Sequence, residues 1–268
     1  MKITSAKLAC FSPTGTSRAI VQAISEGLSI NDFELVDMTK PEVRQKKLQT
    51  TNNELLVVAM PVYSGRLPVL AENWLNDISL SGTPTICVAV YGNREYDDAL
   101  LELQDLVKKQ GGVPLACAAF IGEHSFSAEG TPIAVSRPDK QDLEKACAFG
   151  TAVQKVIDSF EQNLEIPEIA VPGNRPYKER SKGAPLDFIE IGENCTECGV
   201  CASVCPTGAI SKALPTETDL AKCIRCCACI KACPVHARSM KEGAMMDIAR
   251  KLSSMCAERK EPVTFFPN

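Results

Sequence analysis

Residues 195–206 (CTECGVCASVCP) and 223–234 (CIRCCACIKACP) repeat one spacing, Cys-x2-Cys-x2-Cys-x3-Cys-Pro. Nothing else in the chain restricts its folding as much, because a stretch so rich in thiols has to wrap around something. The chain has fourteen cysteines, and nine of them lie between 195 and 233. No apolar run follows Lys2 as it would in a secretory signal, so the expectation is a cytoplasmic chain whose cysteines bind a metal centre and do not crosslink. Zinc sites pair two Cys-x2-Cys units across a longer spacer and have no use for a third cysteine at the next interval of two. The spacing therefore predicts iron–sulfur ligation.

This module resembles the bacterial two-cluster ferredoxins. The resemblance implies two [4Fe-4S] clusters, with the first three cysteines of each row around one cubane and the fourth reaching the other. One cluster would take Cys195, Cys198, Cys201 and Cys233, and the other Cys223, Cys226, Cys229 and Cys205. Pro206 and Pro234 would turn the chain away from each site. A module spanning residues 187–238 has little core of its own, so the clusters would also hold it together. Cys227 is the extra thiol and reads as a bystander. Cys10, Cys87, Cys117, Cys147 and Cys256 fall on strand or helix patterns, where cysteine behaves as a small apolar residue.

The first 161 residues have another rhythm. Apolar runs at 3–11, 33–38, 54–60, 84–91 and 113–121 are strand-sized, and helix patterns lie between and after them at 17–28, 41–49, 68–78, 95–110 and 139–161. Such alternation predicts an α/β domain, a doubly wound five-stranded parallel sheet over 1–161, with ligands beyond the carboxyl ends of the strands. Residues 162–186 are broken by Pro167, Pro172, Pro176 and Pro185 and by Gly173 and Gly183, and read as a linker. After the small α+β module at 187–238, residues 239–268 offer a helix (240–259) and a tail, EPVTFFPN. Its paired phenylalanines are expected to dock on a domain.

Between the first strand and helix stands FSPTGTS (11–17). The chain has neither GxxxxGK[ST] nor GxGxxG, so the usual nucleotide and dinucleotide loops are missing. Amides at a helix start, with the hydroxyls of Ser12, Thr14, Thr16 and Ser17, suit a phosphate without a lysine; the alternative is a plain helix cap. Two more loops lie on the same sheet edge, PVYSGRLP (61–68) and YGNREYDDA (91–99). Both carry a tyrosine for stacking and a glycine for close approach. With these three loops the first 160 residues resemble flavodoxin, which binds FMN. The resemblance implies Ser12, Thr14, Gly15, Thr16 and Ser17 at the phosphate, Pro61, Tyr63, Ser64 and Gly65 along one side of the flavin ring, and Tyr91, Gly92, Asn93 and Tyr96 along the other. The usual TxTGxT is here SPTGTS, with a proline inside and serine last. The whole chain resembles the flavodoxin–ferredoxin fusions of anaerobic prokaryotes.

The expected function is electron transfer between redox partner proteins through two clusters and FMN. The alternative is a reductase fed by ferredoxin electrons, with His124, Glu123 or Arg94 assisting at the flavin edge. Arg66 and Arg94 would meet ligand, partner or solvent, Trp74 would be core, and His236 would lie at the surface. A net charge of −4 argues against nucleic acid as partner. The longest apolar stretches are too short to cross a bilayer.

Overall fold

The computed structural model describes residues 2–162, 166–180 and 185–267. Gly183, read as a linker turn, lies outside the described residues.

The first module runs β1 (Ser5–Cys10), α1 (Thr16–Glu26), β2 (Phe33–Asp37), α2 (Pro41–Arg44), β3 (Gln49–Thr50), β4 (Glu54–Pro61), α3 (Val69–Asp77), β5 (Ser79–Leu80), β6 (Thr83–Tyr91), α4 (Ala99–Lys109), β7 (Gly112–Ile121) and α5 (Lys140–Glu161). Its sheet has the order β7-β6-β4-β1-β2, all parallel. Counting main strands only, this is 2-1-3-4-5, the flavodoxin-like doubly wound order. Alternation along β4 sends Leu56, Val58 and Met60 into one apolar layer and Leu55, Val57 and Ala59 into the other. The first layer is closed by α3 and α4 through Trp74, Leu75, Leu100 and Leu103, and the second by α1 and α5 through Ile20, Ile24, Phe149 and Val153. At the α1–α5 contact Gly150 lies so close that a Cβ there would stand 2.1 Å from the Ile24 carbonyl.

Three helix expectations change at their ends. The pattern at 41–49 stops at Arg44, because beyond Val43 the residues are polar until Leu48 and give no apolar stripe. The helix expected from 95 starts at Ala99, since Asp97 takes a left-handed turn (φ 44). The helix expected over 240–259 spans 244–255.

The second module has β8 (Ile189–Ile191), α6 (Val200–Ser203), α7 (Ala228–Lys231), β9 (Arg238–Met240) and α8 (Ala244–Met255). β8 and β9 pair antiparallel over a small core that includes Phe188, Ile210 and Met245. Before it, residues 166–180 lie along α4. Gln104 Nε2 donates to the Ile169 carbonyl, and the Asp98 carboxylate accepts from the amides of Asn174 (2.8 Å) and Lys178 (2.6 Å). Burial pushes the Asp98 carboxyl up, but these donors outweigh it and hold it below its ordinary value.

After α8 the tail forms β10 (Val263–Phe265), which pairs antiparallel with β7 and becomes the sixth strand. It covers an edge that would otherwise offer open backbone groups. The phenylalanines divide between the two faces: Phe265 packs on the α3/α4 layer, and Phe266 on the other, 5.6 Å from the Phe149 ring. Phe266→Ala is expected to lower the stability of the first module by about 2 kcal/mol, since the ring is only partly buried. Denaturant unfolding followed by circular dichroism checks this, and an unchanged midpoint would show that the tail adds nothing to the core.

Candidate functional site

The cysteines divide between two cavities inside the second module. One is lined by Cys195, Cys198, Cys201 and Cys233, with Pro215 and Arg238 in its wall. The other is lined by Cys205, Cys223, Cys226 and Cys229, among Phe188, Ile189, Ala209 and Ile210. The first cavity takes three thiols from the first row and one from the second; the second takes Cys205 from the first row and Cys223, Cys226 and Cys229 from the second, with Cys227 as a fifth thiol in its wall. The thiols stand around a space and do not converge on the single point that one ion would take. The first set is the more open, with Cys198 exposed though Cys201 is buried; the second is the more closed, with Cys226 and Cys229 buried and Cys205 and Cys223 half-buried. Burial pushes the Cys226 thiol up to about 12. Cys233 goes the other way, because the amides of Val235, Ala237 and Arg238 outweigh burial, and Ala237 N donates to its Sγ at 3.2 Å. A ring of buried thiols in an apolar wall fits a cluster that takes them as thiolates.

The two rows align residue by residue in sequence, which places Cys227 at the position of Gly199. Both cap their short helices in the left-handed region, at φ 55 and φ 74. Cys227 is 2% exposed, so a residue other than glycine is kept in a conformation that costs about 1 kcal/mol. Its side chain fills the module's core beside the closed cavity.

That cavity faces the first module. Ile224, between two of its thiols, packs against the α3/α4 layer. The Tyr63 phenol, on the loop after β4, is pushed well above its ordinary value by burial and by Cys226, Cys227 and Cys223 close by. Around this contact Lys231 Nζ donates to Glu123 Oε1 (2.5 Å) and to the Ser127 carbonyl (2.6 Å), and Arg44 donates to the Pro206 carbonyl. The second module thus rests on segments that follow the carboxyl ends of β2, β4 and β7, Arg44 being the last residue of α2. Neither Arg44 nor the Lys231–Glu123 pair is singled out by sequence, since each partner is remote in the chain.

The turn at 11–17 sits on the same edge. Gly15 N donates to the Ser12 carbonyl (3.1 Å), which closes a four-residue turn with Pro13 second, a position that suits proline's fixed φ. Gly15 caps α1 at φ 88, and no heavy atom outside its own neighbourhood lies within 4 Å of where its Cβ would be. Ser12 is used locally: its Oγ accepts from Arg18 N (3.0 Å), and its amide donates to Thr39 Oγ1 (2.7 Å). Ser17 is fully buried, and its Oγ has no partner among the described residues. No carbonyl among the described residues accepts from the amides of Thr14, Thr16 or Ser17. Free amides, an orphaned hydroxyl and an uncovered glycine at a helix start fit a phosphate.

The residues expected along a flavin ring are less free. Tyr91 ends β6 inside the core, 5% exposed, with its ring edge-on to Tyr96 at 5.5 Å. Tyr96 is half-buried on the same layer. Asn93 is 2% exposed and ties down the tail: Nδ2 donates to the carbonyls of Cys256 (2.8 Å) and Glu258 (2.7 Å), and Oδ1 accepts from Lys260 N (3.2 Å). Gly65 packs against Asp97, and its carbonyl accepts from Asp98 N (3.0 Å). Gly92 is faced by the His124 ring, which leaves no room for a Cβ. Pro61 is half-buried at the end of β4, Tyr63 is half-buried on the turn that follows, and Ser64 is exposed there. Arg66 is buried away from solvent, in a two-pronged pair with Glu102 at 2.8 Å, under the Lys178 carbonyl. Arg94 pairs with Asp97. Trp74 is core and His236 is exposed, as expected.

His124 lies between Gly92 and Phe126. Its Nδ1 accepts from Phe126 N at 3.0 Å, which leaves the proton on Nε2. Burial, with Arg94 and Lys231 nearby, pushes its pKa down to about 4. A group so depressed is neutral at pH 7. Its contribution to stability is complete above its unfolded value of 6.5 and is lost as pH falls toward 4. The expected NMR titration midpoint of His124 is about 4. A midpoint above 6 would mean that the ring is solvated.

Residues 190–211 and 216–239 each match the family model described as 4Fe-4S binding domain, one cysteine row in each. The second module is thus an iron–sulfur, ferredoxin-like region. No curated protein matches the chain. Among solved structures, a flavodoxin from the domain Archaea is 12% identical, covering 58% of this chain and 99% of its own, with a TM-score of 0.41. Flavodoxin 2 from Bacillus cereus is 15% identical, covering 57% and 99%, with a TM-score of 0.39. A Fusobacterium nucleatum flavodoxin bound to flavin mononucleotide is 16% identical, covering 60% and 99%, with a TM-score of 0.37. At these scores the likeness adds no weight, and the assignment of the fold stands on the strand order.

Proposed function

We propose that this chain is an electron-transfer protein that carries two [4Fe-4S] clusters and one FMN and works between redox partner proteins. The observation that carries this reading is the seating of the closed thiol set against Tyr63, on the sheet edge where the phosphate turn also lies. Cys195, Cys198, Cys201 and Cys233 would hold the outer cluster, and Cys223, Cys226, Cys229 and Cys205 the inner one. The amides of Thr14, Thr16 and Ser17 and the Ser17 hydroxyl would hold the FMN phosphate. When bound, the clusters would exchange single electrons and FMN one or two.

The chain's own residues supply position and insulation. The Lys231–Glu123 pair and the Arg44–Pro206 contact hold the inner thiol set over the flavin-side loops. Apolar walls of Phe188, Ile189 and Ile210 keep water from that set. Exposed Cys198 leaves the outer set open to a partner protein. His124 favours a carrier over a reductase, because an imidazole that is neutral at pH 7, with Nδ1 already accepting, is a poor proton source there.

Protein purified without oxygen is expected to hold about eight irons, as two cubanes require, and flavin bands in its spectrum. Zinc in place of iron would overturn the cluster assignment, and failure to bind added FMN would overturn the flavin. Ser17→Ala is expected to weaken FMN binding about tenfold in a fluorescence titration, equivalent to one lost hydrogen bond to a charged group. The same change should leave stability equal or slightly higher, because the hydroxyl it removes has no protein partner. An unaltered FMN affinity would remove Ser17 from the site.

A further inference from the structure

Arg238 is 4% exposed and forms no ion pair with any described residue. It starts β9, opposite Ile191. One arm of its guanidinium donates to the Pro215 carbonyl, the same oxygen that Cys201 Sγ approaches at 3.7 Å. The other nitrogen, Nη1, is buried with no partner. The side chain lies in the wall of the cavity formed by Cys195, Cys198, Cys201 and Cys233. A buried cation without an anion costs several kcal/mol, so this one needs a negative group in that cavity.

The internal repeat supplies a control. Arg238 follows Cys233 by five residues, and the residue five after Cys205 is Ile210. Ile210 is also 4% exposed and lines the other cavity. At this position, then, one wall is apolar and the other carries a full positive charge, although the first cavity is also lined by Glu197, where the second row has Arg225.

On the reading of both cavities as cluster sites, we infer that Arg238 is a positioning residue that donates a charged hydrogen bond to the cluster held by the Cys195 set and separates the potentials of the two clusters. A cluster gains a negative charge on reduction, and a fixed cation in a low-dielectric wall favours the more negative form. The outer cluster is then reduced at the higher potential and the inner one at the lower.

A potentiometric titration of the iron-loaded chain followed by electron paramagnetic resonance tests this. Two separate reduction steps are expected in the parent protein, and a single step with both clusters reduced together would overturn the inference without any variant. In Arg238→Met, which keeps length and removes charge, the upper step is expected to move down toward the lower one, and by more than the lower step moves, since Arg238 also lies near Cys229 of the inner set. Arg238→Lys is expected to keep most of the separation. Full iron in Arg238→Met with both steps unmoved sinks the role of Arg238 and leaves the cluster assignment standing. A parent protein without iron sinks the cluster assignment, and this inference with it.

Discussion

One short loop, between β6 and α4, anchors both ends of the iron–sulfur module. The carboxamide of Asn93 holds the outgoing chain at Cys256, Glu258 and Lys260, and five residues later the carboxylate of Asp98 holds the incoming chain at Asn174 and Lys178. A module attached by one linker would wander over the surface. Attached at entry and exit to the same loop, it has one place to sit. Lys231, Arg44 and Ile224 then complete a seam that places the closed thiol ring against Tyr63.

The buried ion pairs reinforce this anchoring. Arg66 binds Glu102, while Arg180 of the linker reaches Glu72 and Glu102. Arg137 grips fully buried Asp142, which also closes the capping box of α5, and donates to the Lys260 carbonyl of the tail. Each pair has a carboxylate rooted in the first module and a contact with chain that leads to or from the second. Such pairs contribute less through net attraction than through the penalty for leaving either partner alone.

Periodicity and spacing made the frame legible. Nearly continuous apolar strands showed the parallel sheet, and the cysteine rows showed a cluster module, because both patterns are local. The turn at Ser12–Gly15 was also within reach, since proline second and glycine fourth is a turn preference. What sequence left hidden depends on partners far apart in the chain. Asn93 looked like a flavin-side residue because its loop position suited one, but the tail takes its side chain. Arg66 was open to ligand, partner or solvent until its pairing with Glu102 appeared. The tail was expected to dock, yet its strand pairing needs a register that no local pattern supplies.

β10 is made after the entire cysteine-bearing module, yet it pairs with β7, which is made before it. During synthesis the sheet of the first module therefore waits with a bare flank. Only a chain that has already threaded out through the second module and returned can close it. Completion of the outer strand thus reports to the first half of the molecule that the second half has been built, and a truncated or stalled chain keeps an open edge for chaperones or proteases to find.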